Sequence, residues 1–417
     1  MSDSEKLENP WKDRDSLPSP KGEDIALAML MLLLCALCIP FCFYDWVPPV
    51  LLAAVFSYIV YAVRKPRAVI ALLLLAVIPS AFFSGLSVSA LLFALVVGTG
   101  CFAYLITLCK SPYLAVLPFV VAFGIARVIL RDTEPALLTL VCIPSGLLLA
   151  IATRKALSRT VAVIMTLIGF LIPLGLILWI VLGRMASDMG VELAQCLAYI
   201  REELTAFLIA VREEFIRTMP TLMEGTDDAA GRLAQMEQTV RSVLSDAFFV
   251  DLTASLFNLL PGIAVLLCSI PAYAAQFLLA YQYAGTGMEA VVTPQSLKFI
   301  MSPTSAILFM IAFLINLFAS GNSFAVAVIG NFYLMLLPAF CVVGAQSIGA
   351  ILHPARGGAR LFLLLLIASA ICCLGVNTFS MLAFFGAYEA LIYAVREKMA
   401  RTVSEGGDDH NGEDPME

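Results

Sequence analysis

Apolar residues run through this chain in long continuous blocks, unlike the short alternating segments of strands or the half-apolar period of soluble helices. Runs of membrane length, which takes about 17 to 25 residues, fall at 25–44, 47–63, 68–83, 87–109, 113–130, 136–152 and 160–182. After a polar interval they resume at 252–280, 304–320, 323–352, 361–375 and 378–395. The pattern predicts about twelve membrane helices, since each run supplies one span. Backbone polar groups in hydrocarbon need internal partners and the runs are too long for barrel strands. The expected fold is therefore all-α, a polytopic transmembrane helical bundle in contact with the lipid bilayer.

The interval 184–251 breaks this pattern. Leu193, Leu197, Ile200, Leu204, Phe207, Val211 and Phe215 recur every three or four residues, while Arg201, Glu202, Glu203, Arg212, Glu213, Glu214 and Arg217 occupy the other side. That spacing predicts an amphipathic helix. Its charges bar it from the hydrocarbon, where each central charge costs about 2.5 to 3.5 kcal/mol. Pro220 to Gly225 interrupts the stripe, and Thr226, Asp227 and Asp228 are suited to cap a second helix bearing Leu233, Met236, Val240, Leu244 and Phe248. A helical hairpin is expected, its two stripes facing each other, a partner or the membrane surface.

Loop charge orients the bundle, because Lys and Arg in short loops favour the cytoplasm. With the N-terminus inside, the inner loops hold Arg64, Lys65, Arg67, Lys110, Arg154, Lys155, Arg159, Lys298, Arg356 and Arg360, and the tail holds Arg396, Lys398 and Arg401. Both termini are then expected to be cytoplasmic and the hairpin extracytoplasmic. The organisation read from this is a disordered N-terminus (1–24), a first membrane block of about seven helices (25–183), the arm (184–251), a second block of about five helices (252–396) and a disordered acidic tail (397–417). The first 24 residues lack the basic region and short apolar core of a cleavable signal, so the first membrane helix is expected to be retained.

Composition agrees with the pattern: 417 residues, 61% hydrophobic and only 13% charged, with mean hydropathy +0.94. The net charge of −6 equals that of 184–251 alone, which has six Arg, no Lys and twelve acidic residues. Such an arm is a poor match for anionic lipid. The acidic balance also excludes a basic nucleic-acid-binding patch, so no nucleic acid partner is expected.

Ten of the eleven cysteines sit in or beside apolar runs, among them the Cys35/Cys38 pair, and are read as packing residues. No zinc-protease, nucleophile-elbow or phosphate-loop pattern occurs, and the two histidines, His353 and His410, are too few for a histidine-rich metal site. No enzyme activity, catalytic residue, metal or cofactor is expected.

Candidate chemistry is confined to a few polar residues. Glu389 lies seven positions before Arg396, roughly 10 Å inside the last helix by helical rise. With Gly386 opening space beside it, it is a candidate proton or cation site, or else an interfacial carboxylate. Asn258, Pro261 and Gly262 interrupt the eighth run, and Asn331 lies in the tenth. Asn258 and Asn331 are candidate ligand or ion contacts, or glue between helices. Arg127 and Arg131 share a helix face at an outer mouth and are suited to an anion or lipid headgroup, or to pairing with Asp132 and Glu134. Ala345 and Gly349, like Ala53 and Ser57, form small-xxx-small pairs that favour close helix contact.

The stretches VPPVLLAAVFSYIVYAVRKP, TPQSLKFIMSP, GNFYLMLLPAFCVVGAQSIGAIL and LAFFGAYEALIYAVREK, with a Glu-rich arm between membrane helices, resemble the YybS-like family of bacterial membrane proteins. Asn331 and Gly344 fit the family's late-helix motif, with Val343 in place of its Gln. Gly386 and Glu389 fit its last-helix motif, with Glu in place of Asp. That family is distantly similar to the substrate-binding subunits of energy-coupling-factor transporters. The resemblance implies a bacterial cytoplasmic membrane protein that binds or moves a small-molecule solute without its own ATPase. The competing expectation is a non-transporting scaffold or envelope-assembly protein whose arm, 184–251, recruits a membrane or envelope protein partner.

Overall fold

The computed structural model describes residues 21–42, 44, 46–63, 86–108, 112–131, 133–222, 229–285, 299–318, 324–352 and 377–406. Among these residues there are helices and no strands. We number them α1 (Gly22–Cys38), α2 (Val47–Val63), α3 (Leu86–Leu108), α4 (Leu117–Leu130), α5 (Thr133–Leu137), α6 (Cys142–Arg154) and α7 (Arg159–Met189). They continue as α8 (Leu193–Leu222), α9 (Ala229–Val243), α10 (Asp246–Asn258), α11 (Leu260–Gly285), α12 (Pro303–Phe318), α13 (Phe324–Leu352) and α14 (Asn377–Gly406).

Among the described residues eight helical stretches are long and apolar enough to cross a membrane: Gly22–Phe41, Ser89–Leu108, Tyr113–Leu130, Pro135–Arg154, Arg159–Met189, Leu260–Tyr283, Phe324–Ala350 and Asn377–Arg396. Two shorter apolar helices, Val47–Ala62 and Pro303–Phe318, accompany them. The chain is thus an all-α, multi-pass membrane protein. The runs at 68–83 and 361–375, the caps at Thr226 to Asp228, the N-terminus to residue 20 and the tail from 407 lie outside the described residues.

The chain divides into two compact units, one of Met1–Ile177, Val265–Ile311 and Met335–Glu417, the other of Leu178–Ala264 and Ala312–Leu334. In the first, α3 is the central helix: 83% of its membrane window is buried, against 39% for α1. Small residues allow its neighbours to approach closely, as in other membrane bundles. Thr99 on α3 bonds Ser145 on α6 at 3.0 Å. A Cβ on Gly146 would lie 3.1 Å from the Thr99 carbonyl, and one on Gly169 of α7 would lie 2.4 Å from the Ser145 Cα. Cys35, Cys42, Cys101 and Cys142 are all fully buried in this core.

Late in the same unit, α13 and α14 meet backbone to backbone. A Cβ on Gly344 would stand 2.2 Å from the Leu382 carbonyl oxygen, and one on Gly386 would stand 2.0 Å from the Phe340 carbonyl oxygen. Gly386 therefore does not open space beside Glu389; the Phe340 backbone fills it. The small pairs Ala53/Ser57 and Ala345/Gly349 face outward instead, and nothing lies within 4 Å of a Cβ on Gly349.

The second unit holds the arm. The hairpin forms, with two departures from the pattern. The second helix stops at Val243, and Ser245 starts α10 by accepting the Phe248 amide at 3.3 Å, so Phe248 belongs to a third helix. The buried side of α8 also drifts from the expected stripe. Phe207, Val211 and Phe215 are 62%, 48% and 48% exposed, whereas Arg212, expected on the charged face, is 9% exposed. A straight helix turns about 20° per heptad against a 3.5-residue repeat. Late in α8 the inward positions become Leu208, Arg212 and Ile216.

Arg212 is accommodated there by its partners. It donates to Glu213 Oε1 at 2.7 Å, to the Leu244 carbonyl at 2.6 Å and to Asp246 at 2.8 Å, with its guanidinium 5.7 Å from the Phe249 ring centroid. Arg241 on α9 closes the set with a 2.8 Å bridge to Glu213. Thr205 on α8 bonds Thr253 on α10 at 2.8 Å. Hydrogen bonds from Arg241 and then Arg212 hold the Glu213 carboxyl below the usual glutamate range.

Candidate functional site

The expected interruption near Asn258 is a helix break. α10 ends at Asn258, Leu259 leaves helical geometry at ψ 0°, and α11 begins at Leu260. A break in an apolar setting strands backbone groups that need partners. Asn331 on α13 supplies them, accepting the Gly262 amide at 2.7 Å and donating to the Asn258 carbonyl at 2.8 Å and the Ala327 carbonyl at 2.9 Å. Gly262 is required for this closeness, because a Cβ there would lie 2.9 Å from the Asn331 oxygen. The structure thus brings Asn258 and Asn331 together through a backbone carbonyl, and Asn331 spends its amide on the joint.

The other candidates, Arg127, Arg131 and Glu389, belong to the first unit. Arg127 is exposed on the last turn of α4 and donates to the Arg131 carbonyl, while Arg131 terminates the helix in the left-handed region at φ 60°. One arginine therefore caps the helix the other ends. Glu389 is half-buried on α14, which continues to Gly406, so the helix does not end near it. It belongs to the first unit, Asn258 and Asn331 to the second. The remaining amides have local roles: Asn316 donates to the Ala312 carbonyl at 2.9 Å, and Gln346 accepts the Phe299 amide at 3.2 Å.

A polar group that the charge pattern alone did not single out lies in the first unit where α7 begins. Arg159, the first residue of α7, is only 8% exposed. Its guanidinium carbon is 5.8 Å from the Phe277 ring centroid on α11 and within electrostatic range of the Tyr273 and Tyr281 hydroxyls. Gln276 donates through Nε2 to the Arg159 carbonyl at 3.5 Å. The Tyr273 ring packs with its centroid 5.1 Å from that of Phe299, the two rings tilted at 58°, and Thr160 donates to the Ile300 carbonyl at 3.1 Å, holding the chain before α12 against the start of α7.

Within this group the Tyr273 hydroxyl and the Gln276 carbonyl oxygen are buried and make no hydrogen bond. Tyr273, Gln276 and Phe277 recur at i, i+3 and i+4 and so share one face of α11. The sequence carried a signal for them in the polar residues Tyr273, Gln276, Tyr281, Gln282 and Tyr283 spaced along an otherwise apolar helix. Arg159 itself stands among the basic residues of a short loop in the sequence. Further along α11, Gln282 donates to the Tyr58 hydroxyl at 2.8 Å, and Tyr283 bonds Thr107.

Comparison with family models, curated proteins and solved structures gives no match to this chain.

Proposed function

We propose that this chain is a bacterial cytoplasmic-membrane protein that binds and moves a small solute without an ATPase of its own. The observation that carries this reading is the pair of buried, unbonded polar atoms on α11, the Tyr273 hydroxyl and the Gln276 oxygen, beside the buried Arg159. Leaving a buried polar group unsatisfied costs about 1 to 3 kcal/mol. A packed helical interior that carries two together is preorganised for a polar guest. The YybS-like resemblance belongs to the same proposal. Glu389, half-buried on α14, is assigned the role of ion-coupling carboxylate.

Mass spectrometry of small molecules that co-purify with the full-length protein tests the reading. One stoichiometric polar solute, taken up by proteoliposomes, is the expected result; uptake lost in Glu389→Gln supports the coupling role, and unchanged uptake removes it. A protein that retains only lipid and moves none of the molecules offered contradicts solute handling.

A second reading has its own support. Phe207, Val211 and Phe215 form an exposed apolar row on α8, the kind of surface a scaffold uses to recruit an envelope protein. Under that reading, deleting 192–245 removes a membrane partner recovered from intact cells; an unchanged set of partners rejects it.

A further inference from the structure

We infer that Arg159, Tyr273 and Gln276 form the solute site, and that the solute is a small carboxylate with a hydrogen-bond donor beside the carboxyl group, as in α-amino and α-hydroxy acids. This inference rests on the solute-binding reading and names its substrate class. The three residues set three chemical demands. The Arg159 guanidinium is a buried, planar cation suited to bidentate contact with a carboxylate. It offers five N–H donors, so it holds a solute acceptor alongside its protein contacts.

Tyr273 lies within electrostatic range of that guanidinium, and its unbonded hydroxyl adds a neutral donor for the same anion. Gln276 sets the opposite demand. Its Nε2 faces the Arg159 carbonyl at 3.5 Å, a group that can only accept, and Oε1 is the end left without a partner. An acceptor at that point needs a donor from the guest, either an ammonium or a hydroxyl group.

An inorganic anion that carries no proton at neutral pH, such as sulfate, satisfies Arg159 and Tyr273 but offers Oε1 nothing. A simple cation satisfies Oε1 but meets the guanidinium. A carboxylate with an adjacent donor meets all three, and residues three apart on a helix, with Cβ atoms about 5 to 6 Å apart, suit a headgroup of a few heavy atoms. The rings of Phe277 and Phe299 supply apolar walls.

The test is thermal unfolding of the full-length protein in lipid nanodiscs at matched ionic strength. Five probes are offered separately: a mixture of proteinogenic amino acids, a mixture of lactate, malate and citrate, inorganic sulfate, a mixture of neutral sugars, and spermidine. One of the two carboxylate mixtures is expected to raise the midpoint saturably, and sulfate, sugars and spermidine are not. In Tyr273→Phe the half-saturating concentration is expected to rise roughly tenfold, the loss of one hydrogen bond to a charged group. The unliganded midpoint should not fall, because the hydroxyl bonds no protein group. Gln276→Leu is expected to weaken the response similarly, and Arg159→Gln to abolish it.

A response to sulfate alone, or to a carboxylate mixture with Tyr273→Phe and Arg159→Gln unaffected, overturns the assignment. A response only to sugars or spermidine that Tyr273→Phe weakens overturns the carboxylate class and leaves solute binding standing. Silence from all five probes overturns both.

Discussion

Arg212 and Asp246 meet at 2.8 Å across the elbow where α9 gives way to α10. The two ends differ: the Arg212 side chain is 8% exposed and that of Asp246 is 70% exposed. Solvent screens the carboxylate, so the ion pair itself is weak. The more consequential bond is Arg212 to the Leu244 carbonyl at 2.6 Å, which satisfies a helix-end acceptor that α9 leaves behind. Arg212→Met keeps the length and loses both. Amide exchange over 243–249 in the full-length protein is expected to accelerate about tenfold, with exchange in α3 unchanged.

Acid should act on the same elbow. The Glu213 carboxyl is held below its ordinary range by hydrogen bonds from Arg241 and Arg212. A depressed carboxyl contributes stability above its unfolded-state pKa of about 4.3 and loses it as pH falls through the lower native value. Exchange protection where α8 meets α9, corrected for intrinsic rates, is therefore expected to hold from neutral pH to about pH 5 and to decline below about pH 4. In Glu213→Gln the protection is lower at neutral pH and that decline is reduced.

Asn331 closes the break between α10 and α11 with three hydrogen bonds. Asn331→Leu leaves the Gly262 amide and the Asn258 carbonyl without it, at a cost of about 1 to 3 kcal/mol. Unfolding in mixed detergent micelles measures the change. Asn331→Asp retains an acceptor for Gly262 but no donor for Asn258, and is expected to fall between Leu and wild type.

The contact of α13 with α14 separates two glycines that look alike in sequence. Gly386→Ala forces a methyl group against the Phe340 carbonyl and is expected to destabilise by about 3 kcal/mol or more. Gly349→Ala meets nothing within 4 Å and is expected to stabilise α13 by up to about 1 kcal/mol through helix propensity. Unfolding midpoints of the two variants check the contrast.

Much of the architecture was legible because it follows from composition and run length. The run at 47–63 coincides with Val47–Val63, and the break between Asn258 and Gly262 was visible in its Asn, Pro and Gly. What escaped sequence reading depends on rotation and neighbours. The buried side of α8 passed from Phe207 to Leu208 and Arg212 because side-chain spacing fixes a period only approximately over a 30-residue helix. Choosing Gly344 over Gly349 required knowing which side of α13 meets α14. Arg159 read as a loop charge because its burial depends on Phe277 and Tyr273, more than one hundred residues away.

The central claim is that the buried, unbonded atoms of Tyr273 and Gln276 await a solute. A density map of the purified protein in nanodiscs, at a resolution that places side chains and small molecules, tests this most directly. A compact non-protein feature is expected within hydrogen-bonding distance of the Tyr273 hydroxyl, the Gln276 oxygen and the Arg159 guanidinium, absent from Tyr273→Phe protein prepared in the same way. Ordered water alone at those atoms in both proteins, or direct protein partners for both groups, would contradict it.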